Sequence, residues 1–128
     1  MHIEHVAIWC QDLERMRDFY QRYFAGQANP KYTNARGFNS YFLEFSSGSR
    51  LELMQWQEVS ELKNEPQRQF IGLGHLCFAL GSCEAVDALT QRLVVDGYTL
   101  LSGPRTTGDG YYESCLLDPE LNRIELSR

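Results

Sequence analysis

The chain of 128 residues contains no apolar run approaching the roughly 20 residues of a membrane-spanning helix, so no membrane partner is expected. It has no block of basic residues: 12 Lys and Arg stand against 17 Asp and Glu, for a net charge of −5. Nucleic-acid interfaces usually show themselves as a basic face, so no nucleic-acid partner is expected either. The opening Met1-His2-Ile3-Glu4-His5 lacks the basic and apolar regions of a secretory signal. The four cysteines, Cys10, Cys77, Cys83 and Cys115, have no CxxC spacing. Cys10, Cys77 and Cys115 fall inside apparent strands, where free cysteine behaves as a small hydrophobe. This usage suits a reducing cytoplasm better than a disulfide scaffold, and a cytoplasmic location is expected. Histidine is scarce, at three residues, so any pattern the histidines make carries weight.

What is present is the composition of a globular protein, 43% hydrophobic and 23% charged. The length suits one compact domain. Residues 3–10 read as a strand, with Val6, Ile8 and Cys10 on one face and His5, Ala7 and Trp9 on the other. Asp12 is a good helix N-cap, and Leu13, Met16, Phe19/Tyr20 and Tyr23/Phe24 recur at helical spacing. Gly26 is the expected left-handed residue that stops this helix. A weak strand candidate covers 31–35 and a stronger one 40–46. Ser47-Gly48-Ser49 reads as a hairpin turn into the strand 50–55. Residues 57–70 are polar, broken by Pro66 and without clear period, and read as a connecting arm.

Beyond the arm the scheme repeats. An apolar strand at 73–80 precedes Ser82 as N-cap, a helix bearing Val86, Leu89 and Leu93, and Gly97 as its stop. The two caps are 70 residues apart (12 and 82) and the two glycines 71 (26 and 97). After 98–101 a Gly/Thr-rich stretch, 103–112, has the composition of a mobile lid or an ordinary hairpin loop. In the lid reading Arg105 meets a substrate carboxylate or phosphate. A strand at 111–117, a turn at Asp118-Pro119 and a closing strand at 122–127 complete the chain. The fold class expected is α+β: two βαβββ modules forming one curved mixed sheet. One domain spans 1–128, with module 1 at 1–56, the arm at 57–71 and module 2 at 72–128.

The repeat carries two histidines and two glutamates in equivalent places. His5 and His75 are 70 residues apart, and Glu52 and Glu125 are 73 apart. Each occupies the strand face opposite its aliphatic neighbours: Val6/Ile8, Leu51/Leu53, Leu76/Phe78 and Ile124/Leu126. If the aliphatic faces bury against the helices, the four polar groups turn into a central cleft, where leaving them unpaired is costly. A divalent cation pairs with all four. Two imidazoles and two carboxylates suit Zn²⁺, Ni²⁺, Co²⁺, Mn²⁺ or Fe²⁺. His2 has no counterpart and reads as surface. Glu44 and Glu113 lie on strands, either as further bases or as solvated residues.

The segments His5-Val6-Ala7-Ile8, Asp18-Phe19-Tyr20, Leu51-Glu52-Leu53, Gly74-His75-Leu76-Cys77-Phe78 and 118–126 resemble the vicinal oxygen chelate superfamily across nearly the whole chain. That superfamily includes glyoxalase I, methylmalonyl-CoA epimerase, extradiol dioxygenases, fosfomycin-resistance transferases and bleomycin-resistance proteins. The order His, Glu, His, Glu is similar to that of bacterial glyoxalase I. The resemblance implies His5, Glu52, His75 and Glu125 as metal ligands. It also implies a metal-dependent lyase or isomerase in which Glu125 or Glu52 shuttles a proton beside a polarised substrate oxygen, the glyoxalase substrate being a hemithioacetal of a 2-oxoaldehyde. Homodimers, some with modules exchanged between chains, are implied as well. Two positions depart from glyoxalase I. Trp9 stands about where an arginine usually contacts glutathione, and Trp56 where an asparagine follows the first glutamate. Either they mark a more apolar substrate or they simply pack. Two alternatives share the fold: a metal-free small-molecule binding or resistance protein, and an Fe²⁺-dependent dioxygenase-type enzyme.

Overall fold

The computed structural model describes residues 1–46, 48–60, 65, 68–69 and 71–128, in two compact units, 1–63 and 64–128. The first unit contains β1 (His5–Trp9), α1 (Leu13–Phe24), β2 (Gln27–Ala28), β3 (Tyr32–Thr33), β4 (Asn39–Glu44) and β5 (Arg50–Gln55). The second contains β6 (Leu76–Ala79), α2 (Cys83–Val95), β7 (Leu100–Thr106), β8 (Tyr112–Leu117) and β9 (Arg123–Ser127). The chain is α+β and built of two βαβββ modules, as the repeat implies.

Each unit has its own mixed sheet. In the first the order is β1-β5-β4-β2, with β3 also on β4; in the second it is β6-β9-β8-β7. The opening strand of each module runs parallel to its last strand, while the remaining pairs are antiparallel. The strands β2 and β3 both pair with β4 and flank Pro30, whose ring nitrogen has no hydrogen to give to a ladder. The strand expected at 31–35 is the two-residue β3 alone, and β2, on the other side of Pro30, is a further short strand that was not expected. Asn29 bridges them to β4, its backbone N–H donating to the Phe42 carbonyl at 3.0 Å and its Oδ1 accepting from the Phe42 N–H at 2.7 Å.

The helices start where the caps indicate. The Asp12 side chain accepts from the Arg15 N–H at 3.0 Å, and Ser82 Oγ accepts from the Ala85 N–H at 3.1 Å. Helix α1 buries Leu13, Met16, Phe19, Tyr20 and Tyr23 over Tyr41, Leu43, Leu51 and Leu53 of β4 and β5. Helix α2 buries Val86, Thr90 and Leu93 over Ser114, Leu116, Ile124 and Leu126. These side chains hold the sheet faces that carry no candidate ligand, which leaves Glu52 and Glu125 on the opposite faces.

Three expectations need correction or fall outside the description. The left-handed residue ending α1 is Ala25 (φ 54°), not Gly26; glycine is needed at 26 for space, because a Cβ there would stand 3.1 Å from Leu43 Cδ2. The stretch 103–106 is the end of β7 paired to β8, with Arg105 opposite Glu113, so the 103–112 lid reduces to a four-residue turn, 107–110. Ser47 of the hairpin turn and residues 61–64, 66, 67 and 70 of the arm lie outside the described residues. Gly97, by contrast, has φ 94° just past α2 and ends it as expected.

Candidate metal centre

Register decides which side chains meet. In the first unit Glu52 lies between Ala7 of β1 and Phe42 of β4; in the second Glu125 lies between Cys77 of β6 and Cys115 of β8. The first pair brings His5 Nε2 to 3.7 Å from Glu52 Oε2, and the second brings His75 Nε2 to 3.6 Å from Glu125 Oε2. The glutamates are 14% and 19% exposed and the histidines about half exposed, so each unit presents a sheltered carboxylate beside a reachable imidazole. Within each unit, among the described residues, this is a half-site of two donors rather than a complete set.

The donors fit a divalent cation of the kind expected. Bonds of about 2.0–2.2 Å place adjacent ligands on one ion roughly 3 Å apart, within a small side-chain movement of the spacing each half-site already has. Nitrogen and oxygen donors together suit the first-row divalent ions better than Cu⁺.

Around Glu125 the chemistry is denser than its sequence neighbours indicate. The Cys77 thiol donates to the Glu125 carboxylate, and the Glu113 carboxyl stands close beside it. The Cys77 thiol, although on the open face of an edge strand, is crowded enough that desolvation, followed by its bond to Glu125, pushes it up to about 12. It is a thiol donor there rather than the inert small hydrophobe expected of a strand cysteine. Burial likewise raises Glu113, the Glu125 charge adds to the effect, and Arg105, 3.7 Å away, opposes it. Glu113 is thus a sheltered neighbour of a candidate ligand, not a solvated strand residue, while Glu44 is exposed. Burial also raises Cys115, against the effect of Arg123.

Around His5 the neighbours are different. Nδ1 hydrogen-bonds Glu4 at 2.5 Å, Arg50 forms an ion pair with the same carboxylate, and the His5 ring meets Phe42 edge to face at 5.4 Å. The bond from His5, with help from Arg50 and against partial desolvation, holds Glu4 below the ordinary carboxylate value. Arg50, Phe42, Cys77 and Cys115 were not legible as site residues, because strand register brings them to the ligands. Glu4 adjoins His5 in sequence, but its hold on the ring depends on Arg50 across the sheet.

Trp9 shares the His5 face of β1, is 45% exposed and packs edge to face on Phe38 at 6.1 Å; Tyr32 adds a third ring at 6.2 Å from Phe38. Trp56 follows β5 at a turn, its carbonyl accepting from the Val59 N–H. Arg105 is paired to Glu113 on the sheet rather than raised on a lid. No helix among the described residues is long and apolar enough to cross a membrane.

Comparison with known proteins agrees with this architecture. Residues 2–126 match the model of the Glyoxalase/Bleomycin resistance protein/Dioxygenase superfamily. The chain is 28% identical to the uncharacterized protein YqjT of Bacillus subtilis, an alignment spanning 97% of this chain and 96% of that one. Among solved structures, it is similar to a possible glyoxalase from Bacillus cereus (25% identity, TM-score 0.69, 100% and 99% of the two chains covered). The trypanothione-dependent glyoxalase I of Leishmania major shares the fold at 20% identity, with TM-score 0.78 and 100% and 86% coverage. With two βαβββ modules and a family match over nearly its whole length, the chain belongs to the glyoxalase/bleomycin resistance protein/dioxygenase superfamily.

Proposed function

We propose that the two half-sites supply His5, Glu52, His75 and Glu125 to one divalent metal ion, and that the protein is a glyoxalase I-like lyase or isomerase of a small-molecule substrate. The observation that carries this reading is the doubled imidazole–carboxylate pair, at 3.7 and 3.6 Å in equivalent places of the two modules. Binding of a divalent metal is usual in the superfamily. In a homodimer the same half-sites serve whether they come from one chain or are exchanged between two.

An ion held by His5, Glu52, His75 and Glu125 would supply Lewis acidity, easing removal of a proton from the carbon next to a substrate carbonyl. The chain's own groups do the proton transfer. Glu52 and Glu125 are the sheltered carboxylates available to take a proton from one carbon and return it to the next. Beside Glu125 stand two further proton-carrying groups, the Cys77 thiol and the Glu113 carboxyl, within reach of the same oxygens. Trp9, with Phe38 and Tyr32 behind it, gives the His5 side an aromatic wall suited to an apolar flank of the substrate rather than to a charged thiol carrier.

The test is turnover of hemithioacetals by protein loaded with Zn²⁺, Ni²⁺, Co²⁺, Mn²⁺ or Fe²⁺, alongside acyl-CoA thioesters and catechols. Hemithioacetal isomerisation is expected, with Glu52→Gln and Glu125→Gln each lowering kcat about 10²–10⁴-fold. Unchanged isomerisation in both variants would refute the proton-shuttle roles. Catechol cleavage by the Fe²⁺ protein alone would place it among the dioxygenases.

A further inference from the structure

The two half-sites differ at one position in a way that changes the chemistry of a ligand. Going by the repeat offsets, Glu4 corresponds to Gly74, Arg50 to Arg123 and Phe42 to Cys115. In the first unit these residues form a chain of contacts ending on His5. The Arg50 guanidinium lies 4.3 Å from the Phe42 ring centroid and pairs with the Glu4 carboxylate, which meets His5 Nδ1 at 2.5 Å. The backbone is fixed too: the Arg50 N–H donates to the Glu4 carbonyl at 3.0 Å, and Ser49 Oγ donates to the Ile3 carbonyl at 2.5 Å. Glu4 is therefore tied to β5 by both main chain and side chain, although it precedes β1.

In the second unit the arginine is kept and the carboxylate is missing. Gly74 has no side chain, and Arg123 hydrogen-bonds Cys115 instead. Among the described residues no carboxylate meets Nδ1 of His75; its ion-pair contact is through Nε2 to Glu125.

An ionised carboxylate can only accept hydrogen bonds. The Glu4 contact therefore requires the proton on His5 Nδ1, and in the neutral ring this leaves the lone pair on Nε2, the nitrogen that faces Glu52. A carboxylate placed behind a ligating histidine fixes its tautomer and ring orientation and raises its basicity. We propose that Glu4, held by Arg50, is a positioning residue that presets His5 as an Nε2 donor, and that among the described residues the second half-site has no counterpart of it. The orientation stands on the Glu4–His5 geometry itself; only its consequence for metal binding rests on the function proposed above.

Two readouts test it. In metal-free protein at mildly alkaline pH, ¹⁵N–¹H multiple-bond spectra report which ring nitrogen of each histidine is protonated. His5 is expected as the Nδ1–H tautomer, with Glu4→Ala abolishing that preference and leaving His75 unmoved. In Co²⁺ titration, Glu4→Ala is expected to weaken binding about 10–100-fold. A His5 spectrum unchanged by Glu4→Ala, or an unchanged Co²⁺ affinity, would overturn the assignment. A tautomer shift in a protein that binds no Co²⁺ at all would instead sink the metal-centre reading while leaving Glu4's orienting contact standing.

Discussion

Thr90 and Ser114 are buried together in the second unit, their hydroxyls 2.6 Å apart, with Thr90 also donating to the Val86 carbonyl at 2.6 Å. With its own hydrogen used on Val86, Thr90 Oγ1 must accept from Ser114. Thr90→Val keeps the shape but leaves the Ser114 hydroxyl buried without a partner, at a cost of about 1–3 kcal/mol. The double variant Thr90→Val with Ser114→Ala removes both polar groups and should recover most of that loss in a denaturant titration. At this scale the candidate ligands were legible and their neighbours were not. Glu52 and Glu125 follow from period-two alternation, since a polar residue between buried leucines or isoleucines must face away from them, and His5 from the same alternation against Val6 and Ile8. The pairing of Glu4 with Arg50, 46 residues apart, is a product of parallel register between β1 and β5, and no local spacing encodes it.

Among the elements, α1 is tied to β4 by a polar contact at its solvent edge. Glu14 accepts from Lys31 at 2.9 Å and from the Tyr41 hydroxyl at 3.1–3.2 Å, and pairs with Arg17 at 2.5 Å. The Lys31 bond foremost, then Tyr41 and Arg17, lower the Glu14 carboxyl below 4.5 in spite of partial desolvation. A carboxyl lowered in the folded state contributes stability that is fully present above its unfolded value and is lost as pH falls through the folded one. Glu14→Gln should therefore be less stable than the parent at neutral pH, by only about 0.5 kcal/mol because the group is half exposed. The gap should close as the pH is taken below 4.5. Sequence rules misread two elements for steric reasons that lie outside the local pattern. Gly26 looked like a helix stop, but its small size answers to Leu43 and Phe45. Gly103-Pro104 looked like a loop, but Gly103 lies so close to β8 that a Cβ would stand 2.4 Å from the Glu113 carbonyl oxygen.

Across the whole molecule, duplication is the organising fact. Two modules repeat strand, capped helix and three further strands, and each sets one imidazole beside one sheltered carboxylate. The halves have diverged around that shared core. The first surrounds it with Glu4, Arg50 and aromatic rings, the second with Cys77, Cys115 and Glu113. The surroundings of the two pairs are therefore unlike in charge and polarity, although the pairs themselves match. The central claim is that both halves serve the same ion. Its most direct test is the stoichiometry of Co²⁺ binding to the parent protein and to His5→Ala and His75→Ala. The account requires one ion per chain in the parent, lost or severely weakened by either substitution alone. Two ions per chain, each removed by only one of the substitutions, or no binding in the parent, would contradict it.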